Sequence, residues 1–356
     1  MGIVRFDEIA KESRDTFRGS LEGIPIVGLE HVEPYDLLLK NWDIDVETTF
    51  TKQFHKGQIM FGRRRAYQHK ACVATCDGIC SGDITLIEPI EGIVYPDLLP
   101  FIVQNDDFFE HAIKGSNGAL SPRVKWEHMA NFEVNLPSLA EQKVLAEKLW
   151  AAYEVKQSYL KMIEATEEMV KSQFIEMFGT IDDSKCKTDY LPSISENLDS
   201  RRVPIKSGSR EKGKYPYYGA SGIVDYVADF IFDENILLIS EDGANLKDRV
   251  TPIAFSSSGK VWVNNHAHVL KFKDAALQLF VEFYFNFNKI DSYLTGTAQP
   301  KLNQDKLNSI PIPIPQKENM QKFVTIAHQA DKSISELRKS IDAIDKVIKS
   351  LINENQ

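Results

Sequence analysis

Cysteine is scarce. The 356 residues hold four, and none forms a Cys-x-x-Cys pair. That excludes a disulfide framework and a paired-thiol redox motif, and fits a reducing compartment. Long apolar runs are also missing: no stretch approaches the roughly 18 consecutive apolar residues of a membrane span. The opening Met1-Gly2-Ile3-Val4-Arg5-Phe6 has neither the apolar run of a signal peptide nor a Ser or Thr at position six for myristoylation. A soluble cytoplasmic protein with no membrane partner is expected. Positive charge is in deficit as well, with 42 Lys and Arg against 51 Asp and Glu, a net charge of -9. Coating nucleic acid by bulk charge is thereby excluded, and any such contact must come from local basic patches.

What is present is a repeat. The length suggests two domains, each able to bury its own core. Gly57-Gln58-Ile59-Met60-Phe61-Gly62-Arg63 aligns with Asn235-Ile236-Leu237-Leu238-Ile239-Ser240-Glu241, and Phe132-Glu133-Val134-Asn135-Leu136-Pro137 with Ile310-Pro311-Ile312-Pro313-Ile314-Pro315. Gln142-Lys143-Val144 is matched to Gln321-Lys322-Phe323, and Lys171-Ser172 to Lys349-Ser350, so the offset stays near half the chain. Each half begins with a strand-rich stretch (about 5–135 and 183–312) punctuated by turn dipeptides such as Asp77-Gly78, Ser81-Gly82, Ser221-Gly222 and Asp242-Gly243. An alternating strand closed by Pro137 or Pro315 follows, then a helix without internal Gly or Pro (about 139–178 and 317–353).

In the second helix Ala327, Ala330, Ile334, Leu337, Ile341, Ile344, Ile348 and Leu351 step by three and four, a sustained heptad seam. In the first, the expected seam is Leu145, Leu149, Ala152, Tyr159, Ile163, Val170 and Met177, interrupted by Lys156, Thr166 and Gln173. Both flanks are charged. The fold class expected is α/β (α+β): two strand-rich domains and two long helices paired as an antiparallel coiled coil, each on the order of 50 Å long at 1.5 Å per residue. Modules repeated head to tail on antiparallel helices acquire a pseudo-two-fold axis, the symmetry that relates the strands of duplex DNA.

Leu136-Pro137-Ser138-Leu139-Ala140-Glu141-Gln142-Lys143, leading into a long helix, resembles the conserved-region signature of type I restriction-modification specificity (S) subunits. Pro313-Ile314-Pro315 through Gln321-Lys322 is similar to its second copy, although Lys317-Glu318-Asn319-Met320 departs from the pattern. Tyr215-Pro216-Tyr217-Tyr218-Gly219-Ala220-Ser221-Gly222-Ile223, with Glu241-Asp242-Gly243-Ala244 and Asn264-Asn265-His266-Ala267-His268-Val269, resembles one class of that family's target recognition domains. Phe61-Gly62-Arg63-Arg64-Arg65-Ala66-Tyr67, with Cys80-Ser81-Gly82-Asp83-Ile84, resembles another. The resemblance covers nearly the whole chain. It implies recognition domains at 1–138 and 181–315 and conserved spacer helices at 139–180 and 316–356. It further implies a non-catalytic reader of double-stranded DNA, each domain binding one half of a split asymmetric site through the major groove. The helices would space the half-sites and dock two methyltransferase (M) subunits, which carry the S-adenosylmethionine. Restriction (R) subunits would join through that core, and no cofactor is expected on this chain.

Contact residues are sought where donors and acceptors suit phosphates and base edges. In the first half these are Arg63, Arg64, Arg65, Tyr67 and Gln68, the densest basic stretch of the chain, with Ser81, Asp83, Lys114, Ser116 and Arg123 on neighbouring loops. In the second they are Lys214, Tyr217, Tyr218 and Ser221, then Glu241, Asp242, Asn245, Lys247 and Arg249, then Asn264, Asn265 and His266. Lys301, after the Gly296-Thr297-Ala298-Gln299-Pro300 loop, matches the Gly115–Arg123 stretch of the first half and suggests a backbone contact. The plain alternatives are a solvated charge run for the arginines, core packing for Tyr217 and Tyr218, and a tight turn for Glu241 and Asp242.

Catalytic readings find little support. An adenine methyltransferase would need an Asn/Asp-Pro-Pro-Tyr/Phe loop and a glycine-rich cofactor turn, and neither occurs. Gly208-Ser209-Arg210-Glu211-Lys212-Gly213-Lys214-Tyr215 nearly spells a P-loop, but Tyr215 stands where the magnesium-binding hydroxyl belongs. Cys72, Cys76 and Cys80 read as structural cysteines, and His266 with His268 as a polar pair without further metal ligands. The rival readings are a type IIB-like specificity subunit, whose partner both methylates and cleaves, and a coiled-coil scaffold carrying two protein-binding modules.

Overall fold

The structure, a computed structural model, describes residues 2–118, 120–296 and 299–353. It divides into two compact units: unit 1 runs to Leu160 and takes in Arg338 onward, and unit 2 is Lys161–Leu337. The division falls inside the two long helices, because each helix end is packed into the core of the unit it serves.

Unit 1 is organised around strand Ile59–Gly62, which lies between Ile84–Pro89 and Ala71–Val73, with Ala10–Ser13 on the far side of Ile84–Pro89, all neighbours antiparallel. Every residue of Ile59–Gly62 is buried, since both faces of the sheet are covered. Ile59 and Phe61 enter a core with Phe6, Phe101, Phe108 and Phe109, whereas Met60 enters a second core with Val27, Phe54, Cys72 and Cys80. The latter lies against a three-stranded sheet of Ile26–Val27, Gly78–Cys80 and Lys52–Phe54. Gly78 is required there, as a Cβ would meet the Pro25 carbonyl oxygen at 2.4 Å. A hairpin-like pair, Gly2–Arg5 with Glu133–Leu136, leads into the first long helix.

Unit 2 repeats this plan. Strand Ile236–Ser240 lies between Ala267–Lys271 and Ala254–Ser257, with Leu237 and Ile239 in one core and Ile236 and Leu238 in the other. A second sheet contains Lys212–Gly219, Gly222–Val227, Phe232–Asp233 and Lys260–Val263. Thr188–Tyr190 pairs with Pro311–Pro313 ahead of the second long helix. Helix Ala275–Phe287, capped by the Asp274 side chain on the Ala276 amide at 2.8 Å, packs Phe280, Tyr284 and Phe285 into the larger core. This helix and Asp106–Lys114 in unit 1 are elements that the reading of strand-rich stretches did not separate out.

The long helices are Leu139–Phe178 and Lys317–Asn353. Leu145, Leu149 and Tyr153 pack with Ile348, Leu351 and Ile352 in unit 1, where Lys156 Nζ also meets Asp345 Oδ1 at 2.7 Å. Phe174 packs on Phe323 in unit 2 with ring centroids 5.1 Å apart. Within each unit the helices therefore run antiparallel. The first helix's seam differs from expectation: Tyr153, Phe174 and Phe178 are buried where Ala152, Gln173 and Met177 had been placed.

The junction signature has a local explanation. Ser138 and Glu141 form a capping box, Glu141 Oε2 accepting from the Ser138 amide at 2.9 Å and hydroxyl at 2.7 Å. Gln142 is buried, accepting from the Tyr95 amide at 2.7 Å and donating to the Ile93 and Pro137 carbonyls. Its counterpart is not Gln321, which is exposed, but the buried Met320; likewise Leu145, not the exposed Val144, matches Phe323. The sequence match of the two helices is thus one residue out of register, because identity was followed where burial decides.

Candidate nucleic-acid interface

At one end of the central strand of unit 1, Arg63 donates its amide to the Asp83 carbonyl at 2.9 Å and accepts from the Val124 amide at 3.0 Å. Arg65, at φ 55, donates to Pro122 O at 2.8 Å, while Asn117 and Arg123 exchange both backbone bonds at 3.0 and 2.9 Å. A bridge joins Arg64 to Arg123. Sequence-distant segments are thereby laced into one ledge. On it Arg123 donates Nε and Nη2 to Asp83 Oδ1 and Oδ2 at 2.7 and 3.2 Å. Arg64 reaches the same carboxylate with Nη1 at 3.5 Å and gives Nε to Ser121 Oγ at 2.6 Å. The Arg123 guanidinium holds the Asp83 carboxyl below the usual carboxylate range. The result is a pair of part-exposed guanidiniums rooted on one sheltered acid.

The arginine run does not act as one patch. All three arginines are half-buried; Arg64 Nε is hydrogen-bonded to Ser121, whereas Arg63 and Arg65 keep their Nε atoms buried without a hydrogen-bond partner. Tyr67 is exposed and Gln68 half-buried on the turn that follows. Ser81 Oγ accepts from the Asp83 amide at 3.2 Å, closing the turn, and Ser116 Oγ donates to the Ala112 carbonyl. Lys114 is exposed beside Glu110, 3.8 Å away.

Unit 2 builds the same ledge. Glu241 N donates to His266 O at 2.9 Å, Leu302 N to Glu241 O at 2.7 Å and Gly243 N to Pro300 O at 3.1 Å; Thr295 and Lys301 exchange bonds at 2.8 Å each, and Asp242 is bridged to Lys301. Arg65 and Gly243 are equivalent and both have positive φ, as are Gly118 and Gly296. Of the loop before Lys301, Thr297 and Ala298 lie outside the described residues. His266 Nδ1 contacts the Asp242 carboxylate at 2.8 Å, and Lys301 Nζ lies 3.2 Å from Glu241 Oε1. His266, Lys301, Asn265, Ser221 and Lys214 are exposed and Tyr218 is half-buried, stacked on Phe255 at 5.7 Å.

Several expected contacts prove to be braces. Tyr217 is 1% exposed, its hydroxyl accepting from Ile205 N at 2.9 Å and its ring covered by Arg210. Arg210 in turn meets Asp225 at 3.2 Å, so it is not a free phosphate ligand. Arg249 spends its guanidinium on the carbonyls of Leu246, Phe285 and Asn288. Asn245 ties down Thr251 through both amide atoms, and Asn264 is buried, turning the chain onto His266 N at 2.8 Å. Glu241 is sheltered and engaged by Arg202 Nη1 at 2.6 Å. Burial alone would raise its pKa, but the Arg202 hydrogen bond and the His268 charge more than offset that, and the carboxyl is held low. Each of these six side chains is engaged by partners within unit 2.

Beneath the ledge lies a group that sequence reading missed. His268 is 1% exposed, with Nδ1 at 2.6 Å from Asp199 Oδ2 and Nε2 at 2.7 Å from the Leu302 carbonyl. Both ring nitrogens thus face oxygen acceptors, which fix the ring in place. Arg202 and Asp199 complete this network. Only the Asx-like spacing of Asn197 and Asp199 hints at it locally. His266 and His268, expected as a pair on one strand face, divide instead into an exposed ligand and a buried brace. Cys72 and Cys80 are core residues whose thiols burial pushes up to about 12. Among the described residues no three His, Cys, Asp or Glu side chains are grouped to hold a metal ion, and no helix is long and apolar enough to cross a membrane.

Comparison with known proteins bears on this arrangement. Residues 192–346 match the type I restriction modification DNA specificity domain family. A Haemophilus influenzae protein named as a type I restriction enzyme specificity subunit is 35% identical over 136 residues, 38% of this chain and 34% of that protein. The type I restriction enzyme EcoDI specificity subunit of Escherichia coli is 23% identical over 151 residues, 41% of this chain and 33% of that protein. The matched stretches span about a third of each of these relatives. In fold, the S subunit of a type I restriction-modification system from M. genitalium is similar over 99% of this chain and 94% of that one, at TM-score 0.57 and 14% identity. A chain from a structure concerned with assembly and conformational transition of the type I R-M system is similar over 99% and 97%, at TM-score 0.57 and 13% identity. The expected architecture of strand-rich sheets with two long helices is upheld, and residues 192–346 are similar in sequence to the specificity domain of that family.

Proposed function

We propose that this chain, a relative of the type I restriction-modification specificity subunits, is a DNA-sequence reader that performs no chemistry itself. Each unit takes one half of a split, asymmetric site. The observation that carries this reading is the repeated ledge: in both units a part-exposed cation, Arg123 or Lys301, stands at the same backbone position on a sheltered carboxylate. Rooted guanidinium and ammonium groups are donors held in place, the property needed to meet phosphates and base-edge acceptors in the major groove. Arg64, Arg123, Tyr67, Gln68 and Lys114 are the unit 1 side chains available for this, and Lys214, Tyr218, Ser221, Asn265, His266 and Lys301 those of unit 2.

Under this proposal the long helices set the separation of the half-sites and dock two methyltransferase subunits, with restriction subunits joining that core. Methyl transfer and its S-adenosylmethionine belong to the methyltransferase partners. The chain's net charge of -9 then leaves the ledges as its points of attachment, since the summed field repels a polyanion.

The test is a base-resolution map of chromosomal methylation in cells with and without this gene, its neighbours intact. A motif of two short unequal half-sites that disappears with the gene is the expected result. A map unchanged by the deletion, together with no DNA binding by the purified chain, would overturn the proposal in favour of a protein-binding scaffold.

A further inference from the structure

Because the two ledges share their backbone hydrogen bonds, at an offset of 178 residues for Arg64 and Arg123 and of 183 for Asp83, their side chains can be compared one for one. Asp242 takes the place of Arg64, His266 that of Asp83, and Lys301 that of Arg123. Across the first two positions a side-chain contact is kept while its basic and acidic members change places: Arg64 with Asp83 in unit 1, Asp242 with His266 in unit 2. The exchange changes what is offered outward, and it moves the support of the third position from Asp83, which holds Arg123, to Glu241, which holds Lys301.

In unit 1 the outward groups are two guanidiniums, Arg64 and Arg123, with side chains 40% and 45% exposed. A planar fork of donors matches the two acceptors O6 and N7 of guanine. In unit 2 the equivalent of Arg64 is the acid, and it is sheltered. The half-exposed imidazole of His266 stands on the opposite side of the bridge, anchored through Nδ1. That leaves Nε2 as its nitrogen for a ligand, and with Nδ1 donating to Asp242 it accepts, a single contact suited to one donor such as the exocyclic amino group of adenine or cytosine.

We propose that this reversed pair is the base-reading position of each unit, with Arg64 taking a guanine edge in the first half-site and His266 a base amino group in the second. The inference rests on the DNA-reading function proposed above and adds the residues that make the two half-sites differ. The experiment is the methylation map in cells carrying three versions of the gene: wild type, Arg64→Lys, and the double substitution Arg64→Asp with Asp83→His. The double variant installs unit 2's pair in unit 1. It is expected to lose the guanine requirement at one position of the first half-site while the second half-site stays as it was. Arg64→Lys keeps the charge and the fold but not the fork, and is expected to weaken the guanine preference at that position by on the order of 5- to 100-fold. An unaltered motif in Arg64→Lys, at a cellular protein level equal to wild type, would overturn the inference whatever the double variant does. A wild-type map with no split motif would sink the underlying reading instead, so the two failures are separable.

Discussion

Lys301 and Arg123 occupy equivalent places, and each stands half-exposed on a sheltered carboxylate. If Lys301 moves onto a DNA phosphate, Glu241 keeps Arg202 as a partner at 2.6 Å, so little is lost inside the fold. Lys301→Ala is therefore expected to flatten the dependence of log binding constant on log salt by about one unit, the release of one counterion. An unchanged slope in a salt titration would remove Lys301 from the interface. At this scale the sequence was informative about location and poor about role. The basic stretch Arg63-Arg64-Arg65 lies on the ledge. The left-handed turn at Arg65 and the bridge to Arg123, formed by a segment some sixty residues away, bring Arg64 beside Asp83, and no local signal shows it. Tyr217 and Arg249 were misjudged for the same reason. Aromatic and guanidinium groups suit a DNA contact and a buried brace equally well, and their partners lie far along the chain.

The helices were the most legible elements, since an uninterrupted heptad pattern and a capping box are local signals. What the pattern could not show was register at the junctions, where packing against the module overrides the seam. Gln142 illustrates this. Its side chain satisfies an amide and two carbonyls of the 93–95 and Pro137 segments, whereas the residue of the same type in the second helix, Gln321, points to solvent. Gln142→Ala would leave buried backbone groups without partners and is expected to cost about 1–3 kcal/mol. Gln321→Ala should change stability by no more than about 0.5 kcal/mol. Equal effects in urea denaturation would contradict the assignment of Met320, rather than Gln321, as the counterpart of Gln142. Tolerance of Gln142→Ala would show that the signature glutamine does not hold the junction.

For the whole molecule, the duplication and the mixed architecture could be read from an offset near half the chain, because both central strands are apolar but for Ser240 at the end of the second. The polar networks that stabilise each half could not, and they govern its response to acid. In unit 1 Asp36, Asp83 and Glu88 are held below their usual range, and in unit 2 Asp199, Glu234 and Glu241. For Asp199, burial opposes ionisation but is outweighed by the hydrogen bond and charge of His268. A carboxyl with a depressed folded pKa adds stability above its unfolded value, 3.8 for Asp or 4.5 for Glu, and that stability is lost as pH falls through the lower folded value. Glu282 acts in the opposite direction: burial raises its pKa despite hydrogen bonds from Ser256. It favours folding below 4.5 and loses that contribution as pH rises through the folded value. With these six carboxyls, and Glu141, Asp189 and Asp225 beside them, pulling one way and Glu282 the other, Tm is expected to stay level from neutral pH to about 5 and to fall below about 4. The Glu282→Gln variant keeps an oxygen for Ser256 but carries no charge, so it should melt higher than wild type at pH 7 and no higher at pH 4. A melting maximum in acid would refute the first expectation, and a pH-independent effect of Glu282→Gln would refute the second. The two results together separate stabilisation by paired carboxylates from the strain of a single buried one.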